Sequence, residues 1–282
     1  MEFEVHYQSL WDWASDLLKD TSVGLYFVFD AQRLSNFDGS SFFHFIDEPW
    51  IADNFWNVQS DFPPDGKVLA FILYTDKAKL LSFGQQKGYP VVVQLANLPT
   101  WIWNSEGLGG GQVVGWLLIV NEDKRYSGKT SFANFKNLIW HELFKEILDT
   151  ISVYLKNGCW VTCWDGVPHQ LFPTILILSA DYEEQAVMAL ICGVMSHHPC
   201  LVCLIHQNEI SKFPMNCELC MSKNASKTLQ EVWSQNQVDE KEQILIKQGL
   251  HDVDSAFHAV TNMDIYHTLC WDCLVIICGE SF

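Results

Sequence analysis

Basic side chains are scarce in this chain: 17 Lys and Arg stand against 34 Asp and Glu, a formal net charge of −17. Affinity for nucleic-acid backbones comes largely from cations that neutralise phosphates, so a broad electrostatic DNA-coating surface is excluded. Long apolar runs are missing as well. None reaches the ~20 residues that cross a bilayer as a helix, and the opening MEFEVHYQSLWDW has no basic segment of the kind that begins a signal peptide. The expectation is a soluble intracellular protein with no membrane partner. Internal repeats and low-complexity tracts are absent, and so are several catalytic signatures. There is no G-x-S-x-G elbow. The GLGGG of residues 107–111 is not followed by Gly-Lys-Ser/Thr and joins two strands, so it reads as a flexible turn. His141-Glu142 lacks the second His of a metalloprotease helix.

What is present is apolar mass. Hydrophobic residues make up 49% of the 282 and aromatics 13%, enough for a packed core. The ten cysteines read as reduced thiols or metal ligands rather than a disulfide framework.

Four segments follow from patterning. Residues 1–60 form a Trp/Phe-rich extension with one amphipathic helix, SLWDWASDLL, whose Leu10, Trp13, Leu17 and Leu18 share a face. The turn cluster DFPPDGK at 61–67 opens a core running to 196. In that core, apolar runs predict strands at 68–75, 89–95 and 113–120. A 3.6-residue pattern predicts a helix at 131–156, stopped by Asn157-Gly158. A Trp/Cys-rich hairpin, a strand at 174–180 and a helix at 183–195 follow. Residues 197–225 form a small Cys/His-rich insertion expected to bind zinc, and 226–282 a helical, truncated C-terminal segment. The order β-β-β-α-β-α is that of an α/β, RNase H-like core, incomplete at its end. A right-handed crossover returns the fourth strand parallel to the first and beside it.

Asp76 and Asp181 each follow a buried strand directly. Although 105 residues apart, they leave neighbouring strands at one sheet edge, where open α/β folds place their sites. Paired carboxylates there can hold Mg²⁺ or Mn²⁺ and support phosphodiester chemistry; equally, Asp181 can simply cap the helix that follows. Lys77, Lys79 and Lys87 form a local basic strip. Cys200-x-x-Cys203 and Cys217-x-x-Cys220 are spaced like a four-thiolate zinc site, with His197, His198 and His206 as substitute ligands, or they are two unrelated reduced pairs. Cys270-x-x-Cys273 and Cys278 lie in an apolar setting and read as buried thiols.

Taken in order, ILYTDKAKLLSFGQQKGYPVVVQLANLP, NSEGLGGGQVVGWL, FKNLIWHELFKEIL, LILSADYEEQAVMALI and CLVCLIH resemble the Plavaka group of fungal transposases, in the Kyakuja-Dileera-Zisupton superfamily. The resemblance runs from about Phe42, through DEPW at 47–50, to the C-terminus. It implies a nuclear, DDE-type enzyme that cuts and joins DNA at transposon ends with Mg²⁺ or Mn²⁺. Asp76 matches the first acid and Asp181 the second, in the family's D-Y-x-E-Q element; Lys77 or Lys79 is then the phosphate contact. Cys200 and Cys203 match a C-P-x-C pair that forms half of a zinc site, with Leu201 where the family has proline. Cys217 and Cys220 are not a family hallmark, and Asn216 stands where an arginine is usual. Near Trp271-Asp272-Cys273-Leu274 the family's D-x-L-H element is met by Val275 instead of histidine. The third acid belongs further downstream than Phe282. The expectation is therefore a transposase-derived fragment with weak or no cleavage. The alternatives are a non-catalytic zinc-containing interaction module that keeps the fold, or an unselected piece that folds poorly.

Overall fold

The computed structural model describes residues 6–79, 87–121, 123–212, 217–260 and 263–271. Its chain is mixed α/β. The helices are α1 (Leu10–Lys19), α2 (Thr21–Gly24), α3 (Asp53–Ser60), α4 (Thr100–Trp103), α5 (Thr130–Ser152), α6 (Tyr182–Met188), α7 (Ser222–Ser234), α8 (Val238–Gln248) and α9 (Ile265–Thr268). The strands are β1 (Ser35–Phe37), β2 (Phe42–His44), β3 (Gly66–Thr75), β4 (Ala78–Lys79), β5 (Lys87–Gly88), β6 (Pro90–Leu95), β7 (Gln112–Trp116), β8 (Cys159–Thr162), β9 (Pro168–Ala180) and β10 (Leu269–Trp271).

One six-stranded mixed sheet carries the fold, in the order β10-β9-β3-β6-β7, with β8 pairing β9 as a hairpin. β3, β6 and β7 form an antiparallel meander, and α5 carries the chain back so that β9 lies parallel to β3. β3 is buried on both faces, as its unbroken apolar run predicts. Successive side chains point to opposite faces, so Leu69, Phe71 and Leu73 enter the larger core while Val68, Ala70 and Ile72 enter the smaller. The larger core lies under α1 and α5: Leu10, Trp13, Leu17 and Leu18 form the buried face of α1, and Leu143, Phe144, Ile147, Leu148 and Ile151 that of α5. Trp50, Ile51 and Phe55 cover the opposite face of the sheet.

Two buried polar residues tie these layers together. Asn97 is fully buried, yet its Oδ1 accepts from Ala70 N–H at 2.8 Å, and its Nδ2 donates to Val68 O and Val28 O, each at 2.8 Å. His141, equally buried, donates from Nε2 to Val187 O (3.0 Å) and accepts at Nδ1 from Ala256 N–H (3.1 Å). It therefore pins α5 to α6 and to the turn at residues 256–259, a structural role, and burial pushes its pKa down to about 3.

The structure corrects several boundaries: the strand expected at 113–120 ends at Trp116, that expected at 174–180 already begins at Pro168, and the helix expected at 131–156 ends at Ser152. The helix expected at 183–195 ends at Met188, because Leu190 turns left-handed (φ 58°) and Ile191 N–H returns to Ala186 O at 2.8 Å. The Ile191 backbone then bridges to Leu250. The segment 226–282, expected to be helical, also contributes a strand, β10, parallel to the carboxyl end of β9. Asp272, Cys273, Leu274, Val275 and Cys278 lie outside the described residues.

Replacing Asn97 with Leu strands one N–H and two carbonyls in the core. The expected loss is about 2–4 kcal/mol of stability, read as a lower midpoint in urea or thermal melts. An unchanged midpoint would show that the bonds of Asn97 do not hold β3 to its neighbours.

Candidate metal centre

The two sheet-edge aspartates are brought into line by a defect. In the β3–β9 ladder Phe71 faces Ile175 but Ile72 faces Ile177, so Leu176 is a bulged extra residue. Bulges next to functional sites commonly re-aim the side chains beyond them. Past the bulge Tyr74 faces Ser179, and the same offset carried forward sets Asp76 opposite Asp181. Asn54 Nδ2 donates to the Leu176 carbonyl at 3.4 Å, giving the bulge a partner.

Asp181 does cap α6: its Oδ1 accepts from Glu184 N–H at 3.0 Å. The cap also aims the helix. Residues three apart share a helix end, and Glu184 turns back onto the same spot. One candidate ligand oxygen from each of Asp76, Asp181 and Glu184 lies within 4.8 Å of the others. Glu184 escaped the sequence reading. Its signal was the acid three positions after an N-cap Asp, the spacing of a capping box, in a motif read only for its first residue.

Glu184 is 2% exposed, and its surroundings are built. Lys77 Nζ pairs with its Oε1 at 2.8 Å and lies 5.1 Å from the Tyr89 ring. Tyr89 OH donates to Oε1 (3.4 Å) and accepts from Trp140 Nε1 (3.0 Å). Burial, then the neighbouring Glu184, holds the Tyr89 hydroxyl far above its ordinary pKa. Oε2 of Glu184 is buried and accepts no hydrogen bond. Burial, followed by the adjacent Asp181 carboxyl, raises the Glu184 pKa to about 7. The Asp181 pKa is lowered, first by the Glu184 side chain and then by the amides of α6. A proton on Glu184, shared toward Asp181, accounts for both shifts. When all three acids ionise, one ammonium faces three carboxylates, and the deficit of two positive charges is what one divalent cation supplies.

Lys77 points into the cluster and remains 37% exposed. Lys79 lies in β4, with its side chain outside what is described. Cys200 and Cys203 place their sulfurs 3.7 Å apart, close to the ~3.8 Å edge of a zinc tetrahedron built from 2.3 Å bonds. Their loop pairs with the second one through Cys203–Leu219, Leu204 N–H to Glu218 O (2.8 Å) and Cys220 N–H to Val202 O (2.9 Å). Cys220 Sγ lies 3.8 Å from Cys200 O. Among the described residues, however, three candidate ligand atoms converge within 4.8 Å at the carboxylates and not at the thiols. Burial, joined by the neighbouring thiols, pushes Cys203 up to about 11 and Cys220 to about 12. The rings of His197 and His206, and of His198 and His206, sit 5.4 and 5.7 Å apart. All eight described cysteines are free thiols.

The D-Y-x-E-Q element thus does four jobs. Asp181 caps, and Glu184 completes the cluster. Tyr182 OH donates to Pro199 O at 2.7 Å, tying α6 to the Cys200 loop. Gln185 Nε2 donates to Ala180 O (2.7 Å) and Cys270 O (2.8 Å), joining the ends of β9 and β10.

A family model described as Plavaka transposase matches residues 1–277, nearly the whole chain. No curated protein matches it.

Because the folded pKa of Glu184 lies above its unfolded value of 4.5, the native state binds the extra proton between pH 4.5 and about 7. Its contribution to stability is therefore lost as pH rises through that window. His141 contributes the opposite slope, since the unfolded state charges it first as pH falls. Comparison with Glu184→Gln isolates the first effect. In chelator, the variant should melt about 2 °C or more above the parent at pH 8, and the gap should shrink toward pH 5. A variant that melts lower at pH 8 would show that the Lys77 ion pair outweighs the carboxylate crowding.

Proposed function

The chain belongs to the Plavaka transposase family, and from that membership we propose a divalent-metal-dependent DNA-cleaving core of DDE type, with Asp76, Asp181 and Glu184 as its carboxylates. The observation that carries this reading is their convergence within 4.8 Å at the exits of adjacent strands. The strand order β7-β6-β3-β9-β10, with an antiparallel meander and two parallel strands beyond it, supports an RNase H-like classification of the core. Work on DNA implies the nucleus as its compartment.

The residues fit a Mg²⁺ or Mn²⁺ ion on their own chemistry: hard oxygen donors, a surplus of negative charge and a buried, unpartnered Oε2 on Glu184. Such an ion supplies Lewis-acid activation of a phosphodiester. The protein's own groups do the rest. Tyr89, itself held by Trp140, fixes Glu184 by a hydrogen bond, and the α6 amide fixes Asp181. Lys77 is the cation placed to meet a phosphate that approaches the cluster. With Glu184 in the set, the cluster has three carboxylates from this chain alone, which favours activity over the expected inactivity.

A second reading rests on the Cys200–Cys203 spacing. Here zinc holds the two loops, with Cys217 and Cys220 completing the ligands, and the fold serves protein contacts without chemistry.

Conversion of supercoiled plasmid to open circles in Mn²⁺, on the full chain, separates the two. The catalytic reading expects nicking that Asp76→Asn, Asp181→Asn and Glu184→Gln each lower by roughly 10- to 100-fold or more. Nicking indifferent to all three variants would overturn it. Absence of nicking together with one equivalent of bound zinc would establish the second reading in its place.

A further inference from the structure

The chain's few cations are not evenly spread. Four of the 17 Lys and Arg, Lys124, Arg125, Lys129 and Lys136, fall within residues 123–136, against a single acid, Asp123. The same stretch carries three aromatic rings in a staircase. Tyr126 stacks on Phe132 at 6.1 Å, and Phe132 on Phe135 at 6.3 Å. Cations lie along these rings: Arg125 and Lys129 at 5.6 and 5.2 Å from Tyr126, and Lys136 at 5.3 Å from Phe132. Asp123 holds Arg125 through both carboxylate oxygens. Tyr126 and Phe135 remain 46% and 39% exposed, which is unusual for rings that could be buried in a core. The three rings line an open groove of about 640 Å³ together with Leu118, Ile119 and Val120, a size in the range of small-ligand sites.

Strand direction sets where this surface lies. β7 runs antiparallel to β6, so Trp116 pairs with Pro90 while Val91 pairs with Thr75. The chain after β7 therefore emerges at the same sheet edge as Asp76, two strands over, or about 10 Å at ordinary strand spacing. Ile139 lines the groove, and the next residue, Trp140, bonds the Tyr89 hydroxyl that contacts Glu184.

We propose that the surface 123–136 is a single-stranded DNA platform flanking the carboxylate cluster, with bases stacking on Tyr126, Phe132 and Phe135 and phosphates meeting Lys124, Lys129 and Lys136. Aromatic faces bind bases of any sequence once they are unstacked, and the interleaved cations follow the backbone. A duplex hides its base faces and gains little from the rings. The local positive charge, set in an acidic molecule, selects a polyanion. This assignment rests on the DNA-processing reading and names where a strand separated at the cleavage site would lie.

The test is fluorescence anisotropy of labelled dT20 with the full chain in EDTA, which removes the carboxylate chemistry from the measurement. Tyr126→Ala and Phe135→Ala should each weaken binding about tenfold while leaving the salt dependence unchanged. Lys129→Gln and Lys136→Gln should each lower the slope of log affinity on log salt by about one. Thermal melts matching the parent's confirm that the variants are folded. The platform is overturned if dT20 fails to bind in EDTA, if the aromatic variants bind as the parent does, or if a duplex of equal length binds more tightly. It is also overturned if poly-glutamate binds as tightly as dT20, which would mark a surface for acidic proteins. Lost nicking with intact dT20 binding would count against the catalytic reading alone. Intact nicking with unaffected aromatic variants would count against the platform alone.

Discussion

The parallel pairing of β3 with β9 is the constraint on which the rest depends. It joins segments about a hundred residues apart and buries both faces of β3 between two cores. Through its single bulge at Leu176 it brings Asp76 and Asp181 into register. Without the extra residue the offset would set Asp76 opposite Ala180, whose side chain belongs to the core. The bulge carbonyl is not abandoned, since Asn54 reaches it from α3. A local irregularity is thereby tolerated in the most buried pair of strands, and the site follows from it.

Much of this was legible in the sequence because it rests on burial. β3, β6 and β7 are short apolar runs, and α5 is a long 3.6-residue pattern. These signals reflect how many faces an element hides, and the structure keeps them nearly as read. The elements that were missed depend on tertiary pairing. β10 is three residues long and is a strand because β9 offers it an edge. The early end of α6 is invisible in AVMALICGVM, an apolar helical-looking run. Leu190 turns left-handed there because His251 N–H binds its carbonyl at 2.8 Å and Leu250 pairs with Ile191, from sixty residues away. Glu184 was missed for a different reason. Its meaning comes from Asp181 being a helix cap and a sheet-edge acid at once, and a sequence shows those as alternatives.

The carboxylate cluster and the Cys loops differ in how far the fold prepares them. Around Glu184 the partners are built in: a tyrosine, itself held by a tryptophan, and a lysine already hold one oxygen while the other lies buried without a donor. A buried carboxylate oxygen without a donor costs stability in the absence of a counter-charge. The Cys200–Cys203 pair sits at a spacing suited to zinc, but the four thiols are not drawn together to the same degree. Tyr182 links the two regions through Pro199, so whatever orders the Cys loops also steadies the first turn of α6.

If the three acids form one divalent-cation site, calorimetric titration of the metal-free chain with Mn²⁺ should show saturable binding. Asp76→Asn, Asp181→Asn and Glu184→Gln should each weaken that binding, with Glu184→Gln losing affinity even though it gains stability in chelator. Equal Mn²⁺ binding by the parent and the Glu184→Gln variant, or no saturable binding by the parent, would contradict the assignment.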